Sequence, residues 1–180
     1  RVDGVLLAPV RPDSQAIEML KQSHIPFIVM NCIPEDPTVS FVACDNKRGG
    51  ELAAEFINNN VQDQVVLITG FNDQSMQHRV QGFTSKIDRR FIFRQYEGIN
   101  TLEAGYDLVP RLMEETNLIG KKTTLFVTND NVAIGIINRL CELGLDIPDQ
   151  VSIIGYDDIR LASLCRVPLT TISQSGISMG

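Results

Sequence analysis

The sequence predicts an α/β protein built on doubly wound parallel sheet, with helices on both faces. Three observations lead there. From residue 46 onward, four helix-then-strand units follow one another, with strands near 64, 91, 122 and 150. Such alternation gives a parallel sheet between helical layers. The strand candidate in QVSIIGYDD at 150–158 is a mostly apolar run, with only Ser152 interrupting Val151 to Gly155. That composition suits a strand buried on both faces. Polar residues recur where the predicted strands stop, and open α/β sheets bind ligands at the carboxyl ends of their strands.

Val2 to Val10 reads as a first strand ending at Pro9. Asp13 or Ser14 can cap a helix over Gln15 to Gln22, with Ile17 and Leu20 on one face. Ile25 to Met30 is a second strand stopped by Asn31 and Cys32, and a Pro-rich loop leads to a third at Val39 to Cys44. Asp45-Asn46 opens a helix over Lys47 to Asn59, whose Leu52, Ala53, Phe56 and Ile57 recur at helical spacing. Gly49-Gly50 in its first turn disfavours helix by about 1 kcal/mol each against Ala, which points to close backbone approach there.

Gln64 to Thr69 is the next strand, and Met76 to Asp88 a helix carrying Arg79 near its start. Phe91 to Tyr96 follows as a strand. Asn100 with Glu103 three residues on has the spacing of a capping box for a helix to Thr116, which Pro110 should kink. Lys122 to Thr128 is a strand, Asn129-Asp130 caps the helix Asn131 to Leu143, and Gly144 stops it. Beyond the strand at 151–155, an irregular stretch leads to a short strand, Leu169 to Ser173, followed by Gln174.

Bulk composition excludes several classes. The 180 residues are 43% hydrophobic and 21% charged, an ordinary globular balance. Net charge is −6, with no basic run longer than Arg89-Arg90 or Lys121-Lys122, so this stretch does not attract phosphate backbones by itself. Cys32, Cys44, Cys141 and Cys165 have no CxxC spacing and only two histidines beside them, which argues against a metal cluster or disulfide scaffold. Cys44 and Cys141 sit in apolar runs and read as buried small residues. The pattern fits a cytoplasmic protein, and no apolar stretch approaches the roughly 20 residues of a membrane span. The abrupt start at Arg1 gives the sequence the look of an excised fragment.

Asn31, Asp45, Asn129, Asp157 and Gln174 fall at strand ends, with Arg79 at a helix start. Neutral amides and carboxylates of that kind fit a polyhydroxylated neutral ligand, whose hydroxyls each need a donor and an acceptor. Asp45, Asn100 and Asn129, taken singly, read first as helix caps, and the adjacent carboxylates Asp157 and Asp158 read as a candidate polar site, with opening a loop or capping a turn as the alternative. There is no G-x-G-x-x-G after a strand, no GxxxxGK[ST] loop and no G-x-S-x-G elbow, so no cofactor and no catalytic residue are assigned. A metal-dependent hydrolase built on Asp157-Asp158 would need further carboxylates, for which Asp45 and Asp130 are the candidates.

Several phrases then come together: VDGVLL at 2–7, DNKRGGELAAEF at 45–56, RVQGF at 79–83, FVTNDNVAIG at 126–135, LGLDIPDQVSIIGYDD at 143–158 and PLTTISQ at 168–174. In order and spacing they resemble the effector-binding region of the lactose-repressor (LacI) family of bacterial transcription regulators, itself similar to periplasmic sugar-binding proteins. The resemblance implies two α/β lobes with a small effector between them. It places 1–45 in a partial first lobe, 46–172 in a second lobe and 173–180 in a crossover back, with the DNA-binding helix-turn-helix outside this stretch. It implies effector contacts from Arg79, Asn129, Asp157 and Gln174, and places Asn31 and Asn100 at two further effector-facing positions, where the family more often has Asp and an aromatic residue. It also implies a sugar, polyol or nucleoside effector, a homodimer, operator DNA reached only through the missing domain, and no membrane. A transport or chemoreception binding protein of the same fold is the alternative. As cleft residues, Arg79 and Asp157 should be solvated, so that their replacement alters affinity and leaves stability nearly unchanged.

Overall fold

The structure, a computed structural model, describes residues 2–60 and 62–174. Two parallel sheets organise them. The smaller has the order β1 (Val5–Leu7), β2 (Phe27–Met30), β3 (Phe41–Val42), with helix α1 (Gln15–Ser23) between β1 and β2. The larger has the order β5-β4-β6-β7-β8, all neighbours parallel. Its strands are β4 (Gln64–Ile68), β5 (Ile92–Tyr96), β6 (Thr123–Val127), β7 (Val151–Asp157) and β8 (Thr170–Ser173). Between them run α2 (Asn46–Asn58), before β4, then α3 (Gln74–Lys86), α4 (Leu102–Thr116) and α5 (Asp130–Glu142). The α/β class and the parallel doubly wound sheet expected from the sequence are what is observed.

The period-2 alternation of strand side chains builds two cores. Val65, Leu67, Phe126, Ile154 and Tyr156 face Ala53, Ala54 and Ile57 of α2 and Phe83 of α3. Val66, Ile68, Leu125, Val127 and Ile153 face Leu108, Val109 and Leu112 of α4 and Ala133, Ile136, Ile137 and Leu140 of α5. Every residue of β4 and β6 is buried, and after Gln64 on β4 and Thr123-Thr124 on β6 both strands are apolar. Gln64, the polar exception on β4, donates its amide to Thr116 O and Thr123 Oγ1, both at 2.6 Å.

Glycine closes each helix pair. A Cβ on Gly50 would overlap the Arg79 carbonyl, and one on Gly82 the Lys47 carbonyl, so α2 and α3 touch backbone to backbone at two reciprocal points. Gly105 and Gly135 stand in the same relation to the Val132 and Leu102 carbonyls at the α4–α5 crossing. Gly49 has no room for a side chain because the Tyr156 ring lies against it. The glycine pair in the first turn of α2 thus has the packing reason its sequence position suggested.

Some local expectations need correction. Helix α4 is capped by Thr101, whose Oγ1 accepts from Ala104 N at 3.1 Å, and not by Asn100, whose Nδ2 donates to Gly98 O at 2.9 Å. Thr101→Ala should therefore lower stability by about 1 kcal/mol in urea unfolding. Asn100→Ala should leave the midpoint nearly unmoved, and the reverse ranking would restore the capping box. Helix α4 runs as one element from Leu102 to Thr116 with Pro110 inside it. Cys32 is the buried cysteine, whereas Cys44 and Cys141 are half-buried. The caps Asp45, on Arg48 N, and Asn129, on Asn131 N and Val132 N, are where the sequence put them.

Candidate functional site

Strand β7 ends on Asp157, whose φ of +118 lies where L residues seldom sit, followed by Asp158 at +57. The carboxylate of Asp157 is met from three sides. Asn129, at the end of β6, donates Nδ2 to Asp157 Oδ2 at 2.8 Å. Gln174, just past β8, donates its amide to Asp157 Oδ1. Arg79, on the second turn of α3, places Nη1 3.4 Å from the same oxygen. Adjacent strands β6, β7 and β8 deliver three of these groups to one spot because their carboxyl ends align in a parallel sheet.

Arg79 is more deeply held than a cleft residue was expected to be, with only 8% of its surface exposed. Its Nε donates to Asn46 Oδ1 at 2.9 Å and its Nη1 to the Thr128 carbonyl at 2.7 Å. The guanidinium lies 3.8 Å above the Tyr156 ring, a stacking that a planar cation suits. Tyr156 OH also reaches Asn46 Oδ1, at 3.4 Å. The expectation that Arg79 is solvated is corrected on this ground: its fork is fixed by partners on three elements.

Electrostatics follow from the burial. Desolvation raises the Asp157 carboxyl above the ordinary Asp range, opposed by the Arg79 charge and the Gln174 amide. Burial also pushes the Tyr156 phenol up, again opposed by Arg79. Asp130 is fully buried, and desolvation raises it too, although its carboxylate accepts from Thr171 Oγ1 at 2.7 Å and Ile159 N at 3.0 Å. Asp130 thus ties the turn after β7 to strand β8. Among the described residues no group of three or more His, Cys, Asp or Glu side chains is placed to hold a metal ion.

Two adjoining cavities open on this cluster. One, of about 290 Å³, is bordered by Arg79, Asn100, Thr128, Asn129 and Asp157. The other, of about 310 Å³, is bordered by Asn31, Cys32, Asn46, Gln74, Arg79 and Gln174. Asp73, Ser75 and Arg79 border both. The six residues that the family resemblance pointed to therefore each border one or both of these adjoining cavities, four of them bonded or paired together, with Asn31 and Asn100 at the flanks, whereas Asp45 borders neither. Sequence reasoning missed Asn46 and Thr128, which hold Arg79. Asn46 was read as part of a helix opening, and Thr128 contributes a backbone carbonyl that no residue pattern signals. A larger space of about 540 Å³ lies at the opposite, amino ends of β6 and β7 and borders none of the six.

Comparison with known proteins agrees with this architecture. Residues 53–180 match the family described as periplasmic binding protein-like domain. The chain belongs to that family. Over 97% of its length it is 32% identical to the HTH-type transcriptional repressor PurR of Vibrio vulnificus. Over the same share it is 28% identical to the probable HTH-type transcriptional repressor ExuR of Bacillus subtilis. It spans about half of each, 53% of their length. A LacI family transcriptional regulator from Enterococcus faecalis, solved with bound ribose, superposes with a TM-score of 0.85 at 31% identity, covering 99% of this chain and 65% of that one. This periplasmic binding protein-like chain thus corresponds to the effector-binding region of LacI-family regulators, the resemblance its motifs carried. No helix among the described residues is long and apolar enough to cross a membrane.

Proposed function

We propose that this chain is the effector-sensing region of a LacI-type transcriptional regulator, that it binds a small sugar-like molecule, and that it catalyses no reaction. The observation that carries the reading is the Arg79–Asp157–Asn129–Gln174 cluster at the strand ends, bordering both cavities. It offers a fixed fork of donors beside a carboxylate and two amides, the set that vicinal hydroxyls require. The ribose held by the similar Enterococcus faecalis regulator supports the ligand class. We take residues 1–45 as part of one lobe, 46–172 as the other and 173–180 as the crossover, of which 175–180 lie outside the described residues. In the whole protein we place a homodimer in the cytoplasm that meets operator DNA through another region. Effector binding between the lobes would shift their relative population and so change DNA binding.

Calorimetric titration of a panel of pentoses, hexoses, disaccharides and nucleosides tests the reading. Asp157→Asn should weaken the best ligand by roughly ten-fold or more, since a hydrogen bond to a charged group contributes about 1.5–3 kcal/mol. Acidification should act in the same direction. Because the folded Asp157 carboxyl is raised, it begins to protonate above the ordinary Asp value of about 3.9, and a protonated acid loses acceptor capacity. Affinity of the unmodified protein should thus decline before bulk carboxylates titrate, and Asp157→Asn should flatten that decline. For folding the sign is opposite: a raised carboxyl binds its proton more tightly in the native state, so its charged form is a burden at neutral pH that acid relieves. Equal affinity in both proteins across the panel would remove the assignment.

A further inference from the structure

A side-chain amide joins helix α3 to the loop that leaves β2, beside the cleft. Gln74, in the first turn of α3, engages one residue of the loop that leaves β2 with both ends of its amide. Ile33 N donates to Gln74 Oε1 at 2.8 Å, and Gln74 Nε2 donates to the Ile33 carbonyl at 3.1 Å. Beside it Ser75 Oγ donates to the Asn31 carbonyl at 3.2 Å. Asn31 turns the chain there with a φ of +57, presenting the backbone of residues 31–33 to the helix. These bonds border the cavity that Arg79 and Gln174 share with Asn31.

The chemistry selects glutamine. A primary amide carries one acceptor and one donor side by side, so it can pair with the N–H and C=O of a single residue as a neighbouring strand would. Glutamate could accept from Ile33 N but would set a carboxylate against the Ile33 carbonyl. Alanine could do neither. Ile33 is 37% exposed, so water competes for both groups and the bridge biases the arrangement without locking it.

We propose that Gln74 is a conformational latch, setting the fraction of molecules in which the loop after β2 is held against α3. All three bonds use protein atoms alone, so the latch forms without any effector group. Its consequence rests on the effector reading above: if only the latched arrangement presents both walls of the cleft, apparent affinity for every ligand scales with the latched fraction. Gln74 then tunes sensitivity without touching the ligand.

Amide hydrogen exchange of Ile33, measured with no ligand added, tests the latch apart from that reading. In the unmodified protein Ile33 should exchange well below the unstructured-peptide rate. Gln74→Ala should accelerate it by roughly ten-fold or more, with Gln74→Glu between the two, while the core amide of Leu125 stays unchanged. If Gln74→Ala loosens Leu125 as well, the Gln74→Glu protein carries the comparison. A parallel titration with D-ribose should show weaker binding to the Gln74→Ala protein by a similar factor. Ribose binding to neither protein would count against the ligand class, and the exchange data would still decide the latch. Ile33 exchanging at the peptide rate in the unmodified protein, or equally in all variants, would overturn it.

Discussion

Arg79→Ala should lower the unfolding free energy by roughly 3 kcal/mol, the scale on which removing one partner of a buried ion pair acts. The reason is what the side chain leaves behind. The Thr128 carbonyl loses its Arg79 donor, Asn46 Oδ1 keeps only the long Tyr156 hydroxyl contact, the Tyr156 ring loses the cation above it, and Asp157 keeps its charge with only the two amides. Effector affinity should fall by roughly 10- to 150-fold in the same variant, corresponding to about 1.5–3 kcal/mol for a charge-assisted bond. Arg79→Lys separates the two effects. A lysine retains a point charge near Asp157 but cannot fork to both oxygens or stack flat on the ring, so it should recover part of the stability and little of the affinity. Urea unfolding and calorimetry on one preparation read both quantities. An unmoved midpoint in Arg79→Ala would show that the buried network adds nothing to folding.

The second large effect is expected at the helix crossings. Gly82→Ala and Gly135→Ala each insert a methyl group where the opposing helix presents a carbonyl oxygen, Lys47 and Leu102 respectively. Alanine favours an isolated helix over glycine by about 1 kcal/mol. The backbone it would strike belongs to a packed helix and cannot swing aside as a side-chain tip can, so overpacking, at about 1–3 kcal/mol or more, should win. Both variants should unfold at lower urea concentration. Gly144→Ala makes a useful contrast: nothing stands within 4 Å of its Cβ position, but φ is +76, so the loss there comes from backbone strain alone. A raised midpoint in Gly82→Ala or Gly135→Ala would mean the helices can part without loss.

How far the sequence could be read depends on the range of the interaction concerned. The central strands β4, β6 and β7 are legible because each carries a mostly apolar run, and burial on both faces requires that. Asp45 and Asn129 are legible as caps because the bonds they make reach only two or three residues along the chain. Asn100 and Thr101 show the limit of such signals: both are cap formers, adjacent, and only the backbone decides which one faces Ala104. Arg79 borders both cavities but lies deeper than expected, since the phrase RVQGF gives no measure of depth. Its neighbours Asn46 and Thr128 come from positions 33 and 49 residues away. Gln74 was unreadable for the same reason, its partner Ile33 being 41 residues distant on the loop that leaves β2.

The backbone at Asp157 has a consequence for drift. A φ of +118 is a conformation glycine adopts freely and aspartate holds at a cost of about 1–3 kcal/mol. On the effector reading proposed above, selection for ligand recognition would hold a carboxylate there against that strain. In a lineage released from that selection, glycine at 157 alone would relieve the strain but strand the buried Arg79 guanidinium and the Asn129 and Gln174 amides without their acceptor, so it should spread together with loss of the cation at 79. Glycine at 157 paired with an uncharged residue at 79 would mark a descendant in which the proposed site has been dismantled.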